Sequence, residues 1–256
     1  HLPGSPKICA PSRQGGQPPA GWLASTVFWP ERISIPKSPA NRTDSLFCPE
    51  TTSTITSSFS CRHATDDTEG FALPVTGSMT ATNSVSFGSV GYIAQSSGST
   101  GALIIDGGNV DFSNQPLFVA DNGTGYLSMS NGTCSTTSSL IVGHGDGGVG
   151  TFDMDGDSLL QSNGIRIGGR LGSEGVWNIS GGTANLQYTE TGSCFILGHM
   201  SGATGTVNQS GGLVITGYMN IGEGNTGDGI YDTRGVYNLS GGELRINWWR
   251  MAIGDQ

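Results

Sequence analysis

Between Gly101 and Gly242 one short glycine-bounded motif recurs six times. Its clearest copies are Gly-Val-Trp-Asn-Ile-Ser-Gly-Gly (175–182), Gly-Thr-Val-Asn-Gln-Ser-Gly-Gly (205–212) and Gly-Val-Tyr-Asn-Leu-Ser-Gly-Gly (235–242). Looser copies open at Gly101, Gly125 and Gly150, so successive starts lie 24, 25, 25, 30 and 30 residues apart. A second motif keeps step with the first: Ile141-Val142-Gly143-His144, Arg166-Ile167-Gly168-Gly169, Ile196-Leu197-Gly198-His199, Asn220-Ile221-Gly222-Glu223 and Ala252-Ile253-Gly254-Asp255. A unit this short cannot bury an apolar face by itself and must stack on its neighbours.

Alternation within the motif tells which face is buried, because successive side chains of a strand point to opposite sides. Trp177 and Ile179, Val207 and Gln209, Tyr237 and Leu239, Phe152 and Met154, and Leu127 and Met129 share one face, nearly all apolar. Asn178 and Ser180, Asn208 and Ser210, Asn238 and Ser240, and Asp153 and Asp155 share the other, which is wet. Further apolar pairs follow the double glycine (Leu213 and Ile215, Leu244 and Ile246) or precede the glycine of the second motif (Ile165 and Ile167, Phe195 and Leu197, Met219 and Ile221). Two or three short strands per unit with glycine corners predict an all-β parallel solenoid, a β-helix of six to seven rungs of 24–30 residues, stacked about 4.8 Å apart. The double glycines would turn the corners, where left-handed backbone is needed. A helical reading fails on the helix propensity of so many glycines and β-branched residues.

The chain holds 43 glycines among 256 residues, with 12% charged residues and a net charge of -9. An acidic chain poor in lysine is unsuited to nucleic acid, whose phosphates are held by Lys and Arg. No run of about 18 apolar residues predicts a membrane-spanning helix. The first residue is His1 rather than Met, so the chain is either a processed product or a truncated one, and a removed export signal is the simpler expectation. Of the five cysteines (Cys9, Cys48, Cys61, Cys134, Cys194), Cys48 and Cys61 are the pair expected to bond in an oxidising compartment, with free thiols as the alternative.

Residues 1–70 hold most of the prolines and a Ser/Thr tract, and do not share the repeat, so they read as an extended arm or cap before a solenoid at 71–256. The apolar clusters Trp22-Leu23 and Val27-Phe28-Trp29 are expected to dock, either on the solenoid's own end or on another subunit. The sequence stops inside a second-motif copy with no polar capping repeat, and an uncapped rung exposes unpaired strand edges. Either the natural protein is longer or the open end is covered by another chain, and head-to-tail association of copies is the sharper expectation.

The pattern Ile-x-Gly-x-Gly, a gap, then Gly-x-x-Asn-x-Ser-Gly-Gly-x-Leu resembles the glycine-rich repeats associated with type V secretion autotransporters and PEP-CTERM surface proteins of bacteria. The resemblance covers roughly residues 100–256. It implies an exported passenger or surface-matrix protein with a structural or adhesive role, and brings no catalytic residues.

Candidate chemistry is sparse. Asp153, Asp155 and Asp157 alternate like the front half of an EF-hand calcium loop, but Ser158 replaces its glycine and Gly164 its bidentate glutamate. Calcium there is the one metal considered, and no cofactor is expected. His144 and His199 hold matching positions two repeats apart, with Gly169 between and Glu223 after. Stacking puts the histidines about 10 Å apart and His199 about 5 Å from Glu223, an exposed ladder step rather than a metal pair. His1 at a free amino terminus could chelate copper with a second histidine, yet nothing else in the chain supports such an enzyme. Scattered acids, and arginines (Arg166, Arg170, Arg234, Arg245, Arg250) without a shared partner position, argue against a polysaccharide lyase or hydrolase, so no catalytic residues are assigned.

Sequons at Asn41, Asn122, Asn131, Asn178, Asn208 and Asn238 permit glycosylation, but stacked Asn and Ser side chains in a hydrogen-bonded ladder explain the repeat equally. The column Thr151, Val176, Thr206, Val236 is too irregular for an ice-binding array. The expectation is therefore a non-enzymatic extracellular or cell-surface structural protein whose partners are copies of itself and surface glycans. The alternative is a carbohydrate-binding adhesin or carbohydrate-cleaving β-helix, with Trp248 and Trp249 beside Arg245 and Arg250 as its surface.

Overall fold

A computed structural model describes residues 46–47, 53–55, 59–61, 71–72, 76–187, 194–223, 232–247 and 250–254. His1, the two apolar clusters of the arm, Asn41, Cys48, Trp248 and Trp249 lie outside the described residues, as does the Cys61 side chain. Among the described residues every regular element is a strand, and no helix is long and apolar enough to cross a membrane. The chain is a parallel β-solenoid: three sheets, here A, B and C, hold nine, eight and eight strands, and each strand pairs in parallel with its counterparts one coil away.

One coil shows the plan. Leu140–Val142 lies in sheet A, Val149–Asp155 in sheet B and Leu159–Ser162 in sheet C, after which Gly164–Ile167 returns to sheet A beside Leu140–Val142. Register is kept through the whole stack. Leu103, Leu127, Phe152, Trp177, Val207 and Tyr237 form one column of sheet B, as the alternation predicts. The ladders also reach further toward the amino terminus than the motif does, through Thr76–Ala81 and back to Leu46–Phe47, Ser53–Ile55 and Phe59–Cys61. These coils carry no double glycine, which is why the sequence pattern counts six to seven rungs and the sheets are eight strands deep or more.

Three corners close each coil, and each has its own device. From A to B the residue after the strand is left-handed: Gly143, Gly168, Gly198, Gly222 and Gly254 have φ between 66° and 74°. From B to C the second glycine of the later pairs turns, with φ of 76° at Gly182 and 70° at Gly212, while in Gly107-Gly108 it is the first, with φ of 72°. From C to A the device is a buried hydroxyl that donates to the carbonyl two residues on, Ser162 Oγ to Gly164 O at 2.7 Å and Thr216 Oγ1 to Tyr218 O at 2.9 Å. Such hydroxyls give the carbonyl at the bend a partner close in sequence.

The opening glycine of the motif has a different reason to be glycine. Gly77, Gly101, Gly125, Gly150, Gly175, Gly205 and Gly235 occupy one inward-facing column. Beneath each passes the A-to-B corner, where Gly168 N–H donates to Val142 O at 2.9 Å and Gly198 N–H to Ile167 O at 2.8 Å. A Cβ on Gly175 would overlap Gly168 N and Val142 O, and one on Gly205 would overlap Ile167 O. The column is kept clear so that these corner hydrogen bonds can form.

Between the sheets the core is a stack of apolar columns. Phe152 and Trp177 lie nearly parallel with centroids 5.3 Å apart, and Phe195 meets Trp177 edge-on at 5.7 Å. Offset and edge-to-face pairs of this kind add about 0.5–1.5 kcal/mol beyond their burial. Among the described residues Gln209 is the one amide in the inward columns, beside the buried hydroxyls of Thr136, Ser162 and Thr216 in sheet C. Gln209 is buried, donates Nε2 to the carbonyls of Gly211, Gly212 and Glu243, and accepts from the Tyr237 hydroxyl, so its amide is satisfied.

Gly147 and Gly168 share φ near 73°, but a Cβ on Gly147 meets nothing within 4 Å whereas one on Gly168 overlaps Thr204 O of the next coil. Gly147→Ala should cost about 1–2 kcal/mol, the left-handed penalty alone. Gly168→Ala should cost a further ~1–3 kcal/mol for the displaced backbone. Equal losses in urea titrations would show that the stack yields at its corners. Trp177→Ala should lose about 3–5 kcal/mol. Trp177→Phe should lose far less, since Phe152 already stacks in that column and the buried indole Nε1, which has no partner, is removed.

Candidate functional site

Sheet A points Tyr92, Phe118, Ile141, Arg166, Ile196 and Asn220 outward in a single column, one residue per coil. Although they point away from the core, Ile141 and Ile196 are only 3% exposed and Asn220 only 5%. The face is thus covered to a degree that strands of three or four residues do not suggest.

A second outward column runs beside it, formed by the residue after each left-handed corner. Asp121, His144, Gly169, His199 and Glu223 follow one another coil by coil, each backbone N–H donating to the corner carbonyl of the coil below, as from His144 to Ala120 O at 2.9 Å and from Glu223 to Gly198 O at 3.0 Å. His144 and His199 stand two coils apart with Gly169 between them, and His199 Nε2 lies 3.8 Å from Glu223 Oε2, the ladder step that the spacing predicts. Sequence reasoning misses Asp121, whose Oδ1 lies 2.6 Å from His144 Nδ1. The fixed one-coil offset from His144 was the signal that could have found it. The aromatic column leads into the same pair, with Tyr92 and Phe118 stacked at 5.0 Å and Phe118 against the His144 ring at 4.6 Å.

Two imidazole–carboxylate pairs therefore flank the coil that carries Gly169 and Arg166. Burial holds the His199 imidazole below its ordinary pKa of 6.5, against the opposing pull of Glu223 and with help from the nearby Arg166. Cys194 and Tyr218 occupy successive coils on the same face and are hydrogen-bonded to each other. Burial raises the Cys194 thiol pKa, and burial with the neighbouring thiol pushes Tyr218 to about 12, so both are neutral near pH 7. Three polar atoms here are buried without a hydrogen-bond partner: Arg166 Nε, Asn220 Oδ1 and Glu223 Oε2. A carboxylate that orients an imidazole is a common part of acid–base sites, while the three orphan atoms mark where an external group could be held.

The other expected positions are occupied differently. Asp153 accepts from Tyr126 Oη and from Asn178 Nδ2, both at 2.7 Å, while Asp155 and Asp157 are exposed. Among the described residues no group of three or more His, Cys, Asp or Glu is placed to hold a metal ion. Asn208 donates to Asn178 Oδ1 at 2.9 Å and Asn238 to Asn208 Oδ1 at 2.8 Å, so the repeated sequons form a side-chain ladder. Arg245 pairs with its own strand neighbour Glu243 at 2.5 Å on an exposed flank. Cys134 and Cys194 are free buried thiols.

No protein-family model matches the chain, and comparison with characterised protein sequences and with solved structures finds no match either.

The depressed pKa of His199 fixes the sign of a pH effect. The unfolded chain binds the proton more readily than the folded one, so the contribution of this residue is complete above about pH 6.5 and is lost as pH falls through the folded value. The thermal midpoint should fall between about pH 7 and pH 5, and His199→Gln should flatten that slope. An unchanged slope in the variant would assign the acid sensitivity to other groups.

Proposed function

We propose that the protein is an exported structural or adhesive element of a bacterial surface or extracellular matrix, and that copies of it stack head to tail through the ends of their solenoids. The observation that carries this reading is the state of the last described coil. Leu239, Met251 and Ile253 continue the buried columns of Ile179 and Gln209, Met219, and Ile221, yet are 53%, 47% and 74% exposed. Among the described residues the strands Arg234–Leu239, Glu243–Ile246 and Met251–Ile253 are the last of their sheets. The group that fits such a surface is another coil, in register, that adds one more layer to all three sheets and all the apolar columns.

The opposite end of the stack offers that coil in Leu46–Phe47, Ser53–Ile55 and Phe59–Cys61, one strand for each sheet. A contact between two different ends does not close on itself and propagates as a filament. Composition agrees with a scaffold role: 12% charged residues and 43 glycines support regular stacking over a dense set of charged sites.

Electron microscopy over a concentration series tests the reading. Filaments are expected with an axial repeat of roughly 40 Å, the height of about eight coils. Ile253→Lys together with Leu239→Lys should disperse them while leaving the circular dichroism spectrum intact. A monodisperse monomer at every concentration would sink the proposal.

A further inference from the structure

Asparagine followed by glycine occurs three times in the chain, at Asn122-Gly123, Asn131-Gly132 and Asn163-Gly164. In such a pair the backbone nitrogen of the glycine can attack the carboxamide carbon of the asparagine, because no Cβ on the glycine stands in its way. A succinimide ring closes, the Cγ–Nδ2 bond breaks, and ammonia leaves with the proton of the attacking N–H. Water then opens the ring. Attack at Cγ gives aspartate, while attack at the main-chain carbonyl leaves the chain joined through Cγ as isoaspartate, so one water is consumed for each ammonia released.

At two of the pairs the reacting groups are already engaged. Asn122 donates Nδ2 to Gln95 O and to Asp121 Oδ2, both at 3.2 Å, and Gly123 N–H donates to Ala94 O at 3.2 Å. Asn163 donates Nδ2 to Thr137 O at 2.5 Å, and the buried Gly164 opens the strand Gly164–Ile167 with its N–H on Ser162 Oγ at 3.4 Å. Each of these bonds must be given up before the ring can close.

Asn131 differs on every count. It stands at the B-to-C corner with φ of 56°, in the position that Gly107 and Gly156 fill in the adjoining coils, and it is exposed. Among the described residues nothing accepts from its Nδ2 or from the Gly132 N–H. Its Oδ1 accepts from Asp157 N–H at 3.1 Å, so the negative charge that builds on this oxygen as the ring closes meets a donor already in place. Packing also fixes the reactive glycine, since a Cβ on Gly132 would stand 2.6 Å from Gly108 O. The reaction is internal to the chain, and both ring carbonyls that water must reach belong to the exposed Asn131.

We propose that Asn131 is a site of spontaneous succinimide and isoaspartate formation, the first of the three pairs to react in the folded chain, and that the product loosens its corner. Isoaspartate adds one atom to the backbone between Ser130 and Thr133, where both flanking strands are in register with the coils on either side. The bonds from Thr133 N to Gly108 O and from Leu159 N to Gly132 O, each 2.8 Å, adjoin the insertion. No enzyme, oxidant or partner enters the reaction, so it stands apart from self-stacking.

Incubation of the purified full chain at mildly alkaline pH, followed by peptide mass mapping and isoaspartyl methyltransferase labelling, tests the assignment. Asn131 should convert about ten-fold or more faster than Asn122 and Asn163. In urea, with the structure removed, the three should react at similar rates. The isoaspartyl fraction, separated by anion exchange, should melt about 2–4 °C or more below the parent. Asn131→Gly, which gives the corner the residue of the adjoining coils, should fold, abolish labelling of this peptide and hold its thermal midpoint through the same incubation. The inference is overturned if Asn122 or Asn163 converts as fast as Asn131 in the folded chain, if Asn131 reacts only in urea, or if the isoaspartyl fraction melts with the parent.

Discussion

Each coil is joined to the next by backbone hydrogen bonds that run along the stack, and the placement of every side chain follows from that ladder. Strands in adjacent coils lie about 4.8 Å apart, so each side chain packs directly on its counterparts above and below. A residue therefore has two neighbours fixed by the period of the sequence, one above and one below. Phe152 meets Trp177, Asn178 meets Asn208, and Asp121 meets His144 for this one reason. The ladder makes the same demand at the corners, where the empty inward column of Gly125 to Gly235 leaves room for the hydrogen bond that closes each bend.

Much of this was legible because a solenoid writes its contacts into a fixed offset. The buried face, the outward Asn ladder, two of the three glycine-bearing positions and the His199–Glu223 step all follow from the 24-to-30-residue spacing and strand alternation. What escaped reading escaped for physical reasons. Ala94 and Ala120 hold the left-handed corner in the early coils, with φ of 57° and 64°, so the glycine signal fades although the geometry persists. Ser162 and Thr216 turn the third corner through a hydroxyl, and a hydroxyl in a strand pattern looks like any solvated residue. Arg166 has no partner at its own sequence offset, and only the stacked columns bring it between two imidazole–carboxylate pairs.

Polar groups inside this molecule fall into two kinds. Gln209 is the only amide in its core column, and it is fully engaged by three carbonyls and the Tyr237 hydroxyl, so it locks two coils together where apolar packing would allow small shifts. On the outside of sheet A, by contrast, Arg166 Nε and Asn220 Oδ1 are buried without a hydrogen-bond partner.

The direction of the ladder bonds has a mechanical meaning. Because they lie along the stack, a load applied between its two ends pulls on the bonds of a single junction at a time, as in a zipper, instead of shearing a whole strand at once. The terminal coil gives way first and its neighbour then becomes terminal. Resistance is set by the weakest junction between two coils, and lengthening the stack increases its extensibility without making it stronger. The paired aromatic rings at Phe152, Trp177 and Phe195 fall in the middle coils, while the amide of Gln209 bonds Tyr237 and the Glu243 carbonyl of the last described coil, so peeling from that end meets the amide bridge at its first junction.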